Sequence, residues 1–207
     1  MLKGLAVRLA DANDALRRNY GLEFEPMNGF RPLAVQRQIL DCFYRAGEVK
    51  FRKQFSGEAL QAKALEFALT YASKPPEKVT LDDSTSWYAH GTGAAIDMLL
   101  RTDKGSRLEF GVIFDDPDNA SHIRAKENFE GDPTASQSAF RANRRVLFWS
   151  MASAGFVNYP EEFFHYDPFQ VGNKVTQFGI LNAGIWGVPG AAALRATVPA
   201  AREALTK

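Results

Sequence analysis

Cysteine is nearly missing from this chain of 207 residues: Cys42 is its single example, so no internal disulfide can brace the fold. Cys42 lies among Ile39, Leu40 and Phe43 on a predicted helix, where it reads as a small buried apolar residue. Net charge is also nearly missing. Twenty-five Lys and Arg against 24 Asp and Glu leave +1, too weak a field to favour nucleic acid or an anionic membrane surface as a partner. A leader is not evident either. The opening MLKGLAVRLADANDALRR is broken by Lys3, Arg8 and Asp11 before an apolar core develops, so it does not read as a secretory signal. With Met1 as the true start the expected location is cytoplasmic; a longer amino terminus would allow a periplasmic one.

Long apolar runs are few. Val175 to Leu194 carries twenty residues without a charge, long enough to cross a bilayer. Gln177, Asn182, four glycines and Pro189 make it a poor hydrocarbon helix, and a strand (VTQFGIL) followed by a Gly/Pro turn fits better.

What the chain does have is core material, being 45% hydrophobic and 12% aromatic, which suits one compact domain over residues 1–207. Leu5, Leu9, Ala12, Leu16 and Tyr20 recur at helical spacing and Gly21 stops them, predicting a helix over 4–20. LEFEPM reads as a strand. Pro32 opens a second helix that runs to Gly47, and residues 57–73 form a third that Pro75 and Pro76 end. GAAIDMLLRT reads as a buried strand paired with RLEFGVIF. The longest helix covers 135–154, closed by Gly155 in a left-handed cap, and FVNY, EFFHYD and VTQFGIL supply further strands. Helices first, then strands with one long helix inserted, imply an α+β fold with a largely antiparallel sheet and helices packed against it.

Histidine is scarce too, with three in all, and two of them sit in suggestive company. His90 and Asp97 bracket AHGTGAAID, and His165 closes Glu162-Phe163-Phe164-His165. Catalytic zinc needs about three protein ligands with one position left open, and a nearby carboxylate outside the ligand set to take a proton from water. His90, Asp97 and His165 fit the first need and Glu162 the second. Seven residues of extended strand would hold His90 and Asp97 roughly 23 Å apart, so the segment must fold back, and Gly91 and Gly93 permit it. The plainer alternative makes Asp97 a partly exposed strand residue and His90 a loop residue. Residues three apart point to opposite faces of a regular strand. Glu162 and His165 therefore share a site only if the chain bends between them or Glu162 precedes the strand, and Pro160 suits such an entry. Phe163 and Phe164 read as packing. His122 reads as a surface histidine.

In order and type, GFRP (Gly29 to Pro32), HGTGAAID (His90 to Asp97), FD (Phe114, Asp115), NRRVLFWSMASAGF (Asn143 to Phe156) and EFFH (Glu162 to His165) resemble the zinc D-alanyl-D-alanine dipeptidases. That group includes the vancomycin-resistance dipeptidases and is related to the zinc D,D-carboxypeptidases. The resemblance implies a hedgehog-like α+β fold and one Zn2+ per chain bound by His90, Asp97 and His165. It implies Glu162 as general base, Arg31 as the cation that stabilises charge on the scissile carbonyl, and Asp115 as partner of a small dipeptide's ammonium group. Relatives carry serine two residues before the first histidine and arginine two after it. Here those positions are Tyr88 and Thr92, and Phe163 and Phe164 replace a tryptophan pair, so the resemblance implies an altered substrate pocket to which Tyr88 contributes. The expected activity is hydrolysis of D-alanyl-D-alanine or a close relative. A D,D-carboxypeptidase acting on peptidoglycan peptides and a non-catalytic zinc-binding recognition module are the alternatives.

Overall fold

The computed structural model describes residues 3–77, 88–116 and 119–168. They fall into two compact units, Phe30–Gly93 and the chain on either side of it. The strand expected over VTQFGIL lies outside the described residues.

The larger unit is a four-stranded antiparallel sheet with two helices. Its elements in chain order are α1 (Lys3–Tyr20), β1 (Leu22–Asn28), β2 (Ile96–Thr102), α4 (Ala135–Ser153), β3 (Phe156–Asn158) and β4 (His165–Pro168), and the strands lie in the order β1-β2-β4-β3. Gly21, at φ 64°, ends α1 and turns the chain directly into β1, a conformation glycine reaches without the Cβ clash. At the start of α4, Thr134 accepts from the backbone N–H of Gln137, whose side chain accepts from the N–H of Thr134. This reciprocal cap satisfies two N–H groups that the first turn leaves without helical partners. Gly155, at φ 80°, follows the other end of α4 as expected.

Alternation along β2 sorts the sheet's two faces. Ile96, Met98 and Leu100 join Leu9 and Leu16 of α1, Phe24 of β1, and Val146, Leu147 and Met151 of α4 in one apolar cluster. Asp97 and Arg101 point to the opposite face, because successive side chains of a strand alternate. On that face Glu23 pairs with Arg101 at 3.0 Å and Arg17 at 2.6 Å.

The strand expected over RLEFGVIF does not form. Only an Arg101↔Arg107 bridge and a bond from the Leu108 N–H to the Leu100 carbonyl remain. β2 has two edges: β1 takes one along its whole length, and β4 takes the other at Ile96 and Asp97. On the rest of that edge the segment makes its one bridge, and then Gly111, at φ 75°, turns the chain away before a ladder can build.

The smaller unit contains α2 (Leu33–Phe51) and α3 (Gly57–Tyr71), packed along each other. Pro32 lies just outside α2 as its cap, and Gly47 lies inside the helix. The expected stop at Gly47 is therefore wrong, and packing explains why glycine is there. A Cβ at Gly47 would stand 2.9 Å from the Ala64 Cα of α3, so the missing side chain lets the two helices approach closely. Phe51 and Phe67, and Phe67 and Tyr71, pack edge to face around that contact, a geometry worth about 1 kcal/mol per pair beyond area alone. Cys42 is exposed on α2, contrary to expectation, because the α3-facing stripe falls on Phe43, Gly47 and Phe51 instead.

Candidate metal centre

Asp97 and His165 meet because of strand register. They are paired residues across β2 and β4, so their side chains leave the sheet on one face, and His165 Nδ1 lies 2.9 Å from Asp97 Oδ1. Both are buried, at 3% and 7% exposure. On the other side of Asp97, a bulge in β1 between Pro26 and Asn28 slips the register by one residue and sets Asn28 opposite Asp97. The Asn28 amide donates to Asp97 Oδ2 at 3.0 Å. Asn28, Asp97 and His165 thus form a row across three strands. Sequence reading missed Asn28, since a bulge that turns a side chain to the other face leaves no mark in the alternation pattern.

Glu162 precedes β4. Its N–H donates to the Tyr159 carbonyl and its own carbonyl accepts from the His165 N–H, a turn that brings its carboxylate round to the side of His165. Glu162 Oε2 lies 3.8 Å from His165 Nδ1, and the glutamate side chain is 33% exposed. The bend that spacing required is therefore present. Asn158, at the end of β3 and almost fully buried, holds it: its amide nitrogen lies 2.9, 3.1 and 3.0 Å from the carbonyls of Glu162, Phe163 and His165. Replacing Asn158 by alanine removes the donor shared by these carbonyls, two of them in fully buried bonds. We expect a stability loss of about 1–3 kcal/mol, measured as a lower midpoint of chemical denaturation.

The turn is tied down from below. Phe163 stacks on Phe110, with ring centroids 5.1 Å apart, and lies under the Arg144 guanidinium at 4.1 Å. Arg144, buried on α4, donates to the carbonyls of Phe110, Ala120 and His122. Burial lowers its pKa to about 10, which still leaves it charged at neutral pH, where a cation shared among carbonyls bonds more strongly than a neutral donor. The loop so held carries Phe114, which packs on Phe164 at 4.8 Å, and Asp115. Among the described residues Asp115 is the one non-glycine at positive φ, 63°. Aspartate tolerates that region better than most residues, and its side chain is exposed.

The protonation of His165 reports on its surroundings. Burial pushes the imidazole pKa down, but hydrogen bonds to Asp167 and Asp97 and their negative charge outweigh it and lift the pKa to about 10. A buried ring held between carboxylates thus attracts a cation, and proton and metal compete for such a nitrogen. Imidazole nitrogen with carboxylate oxygen is a donor set that suits zinc.

In the smaller unit, His90 is buried in a single 3-10 turn, Ala89–Thr92, that ends at Gly93 with φ 70°. Gly93 therefore makes the reversal that the sequence called for. Gly91 serves a different need: a Cβ there would lie 2.6 Å from the Tyr88 ring. Arg31 is fastened to the same turn, its N–H donating to the His90 carbonyl at 3.1 Å and its carbonyl accepting from the Tyr88 hydroxyl. The Arg31 guanidinium donates to Gln36 Oε1 at 2.9 Å, and the buried Gln36 donates onward to the Ser73 carbonyl. Gln36, five residues after Arg31, escaped sequence reading because nothing marks a buried glutamine on a helix as a strut. His122 is partly buried and its carbonyl is one of the Arg144 acceptors.

No helix among the described residues is long and apolar enough to cross a membrane. Residues 11–180 match the model of the family described as D-ala-D-ala dipeptidase. The D-alanyl-D-alanine dipeptidase of Synechocystis sp. is 25% identical over 142 residues, covering 67% of this chain and 56% of that protein. The D-alanyl-D-alanine dipeptidase of Escherichia coli K12 is 30% identical over 110 residues, covering 53% and 52%. The chain spans about half the length of these curated relatives.

Proposed function

The chain belongs to the D-ala-D-ala dipeptidase family, and from that premise we propose that it is a zinc-dependent peptidase hydrolysing D-alanyl-D-alanine or a closely related small dipeptide. One observation carries the reading: Glu162 lies beside His165 on the same nitrogen edge that faces Asp97. A histidine and an aspartate suited to a metal thus have a second, more exposed carboxylate within reach of whatever they hold. With Asp97 and His165 we assign His90, buried in its own turn and part of the HGTGAAID motif, as the third ligand of one Zn2+.

Zinc supplies Lewis acidity toward a water and toward the scissile carbonyl. The protein's own residues do the rest. The Glu162 carboxylate takes the proton of the attacking water and returns it to the departing amine. The Arg31 guanidinium, its orientation set by Gln36, offsets the negative charge that grows on the carbonyl oxygen. Asp115 pairs with the free ammonium of the dipeptide, a role its exposed position at the end of a well-held loop suits. The Tyr88 ring shapes the pocket where relatives carry serine.

Incubating the zinc-loaded protein with D,D-, L,D- and L,L-dipeptides tests the proposal, with D-Ala-D-Ala expected to be cleaved and its N-acetyl form cleaved far more slowly. Asp115→Ala should slow the free dipeptide selectively, by roughly tenfold for one charge pair of about 1.4 kcal/mol. Equal rates on free and acetylated substrate would favour the D,D-carboxypeptidase alternative. Zinc binding with no hydrolysis of any peptide would favour a recognition module.

A further inference from the structure

The two ring nitrogens of His165 face different carboxylates. Nδ1 looks toward Asp97 Oδ1 at 2.9 Å and Glu162 Oε2 at 3.8 Å. Nε2 looks toward Asp167 Oδ2 at 3.5 Å. Asp167 follows His165 by two residues on β4, so its side chain rises from the same face. Its carboxylate is largely withdrawn from water, at 14% exposure. A buried carboxylate is costly without a donor, and the imidazole N–H is the donor this strand places beside it.

We propose that Asp167 is the positioning residue of the site: it accepts the His165 Nε2–H, which fixes the ring's rotation and the tautomer that leaves the Nδ1 lone pair to the metal. The inference rests on the proposed metal-dependent reading. An ion about 2.1 Å from one ring nitrogen cannot also reach the other, so the edge shared with Asp97 and Glu162 is the metal's edge and the Asp167 edge carries the proton. A carboxylate in that place also makes the imidazole a stronger donor to the metal. Spacing alone gives Asp167 no role, because it does not show which edge of the His165 ring a neighbouring carboxylate faces.

The test uses the full chain labelled with nitrogen-15 at histidine and loaded with zinc. In the wild type, the His165 resonances should show Nδ1 bound to metal and Nε2 bearing a slowly exchanging proton. Competition with a chelator should find zinc held roughly 10- to 100-fold more weakly by Asp167→Ala. Asp167→Asn, which keeps an oxygen to accept the bond but loses the charge, should fall between. Thermal melting of the metal-free proteins separates this from a general loss of fold, because a merely structural role would lower the melting point without changing which nitrogen is protonated. Zinc affinity within about threefold of wild type in both variants, against the loss that such outer partners ordinarily cause, would overturn the proposal. So would a zinc form of the wild type with its proton on Nδ1. If Asp167→Ala does not fold, the wild-type resonances decide alone. If the wild type takes up no zinc, the metal reading itself fails, a result distinguishable from zinc that binds with the opposite tautomer.

Discussion

Glu162→Gln should keep the fold and the metal and lose about a hundredfold to ten-thousandfold in turnover, the usual range for removing a general base. The amide keeps the shape of the carboxylate and can still accept a hydrogen bond, but it cannot take a proton near neutral pH. The turn that places residue 162 is built from backbone: its N–H and carbonyl bond to Tyr159 and His165, and Asn158 bonds the same carbonyl. None of these contacts depends on the side-chain charge, so melting temperature and bound zinc should barely move. Glu161→Gln is the control. Glu161 stands next in sequence on the same turn and should tolerate the change with little loss. Measuring kcat, KM and metal content for both variants decides the matter, and equal behaviour of the two would mean that the base lies elsewhere.

Stripping the metal with a chelator should abolish hydrolysis, and one equivalent of zinc should restore it in the wild type but not in a variant with both His90 and His165 replaced by alanine. Two of the three proposed ligands are then gone, leaving a lone carboxylate, which binds zinc too weakly to survive dialysis. The substitution also removes the ring nitrogen 2.9 Å from buried Asp97. Leaving a buried charge with fewer partners is destabilising, so circular dichroism must accompany the metal analysis to show that loss of zinc is not loss of fold. Retention of stoichiometric zinc by the double variant would refute the ligand set.

The fold's helices were legible because each carries local instructions. Spacing in α1, the prolines around α2 and α3, and Gly155 after α4 all act within a few residues of where they sit. RLEFGVIF misled because alternation reports a tendency to be extended, whereas a strand also needs sustained pairing, and after the Arg101↔Arg107 bridge Gly111, at positive φ, turns the chain away from β2. Gly47 misled for a related reason. Glycine as a stop and glycine as a close-packing surface look alike until the partner helix, with Ala64 at its contact, is in place.

Sequence alone determined the chemistry on offer: two well-placed histidines, Asp97 and Glu162 in an ordered set of motifs, and the need for a bend before His165. Residue types and short spacings carry that information, because donor atoms and turn-forming residues act locally. Tertiary structure decided which atoms meet. Register across β1, β2 and β4 sets Asn28, Asp97 and His165 in one row. The amide of Asn158 gathers the carbonyls that turn Glu162 toward His165, and Asp167 takes the ring's far edge. These pairings join residues as far as 69 positions apart, and the strand register and long-range hydrogen bonds that create them exist only once the core has closed.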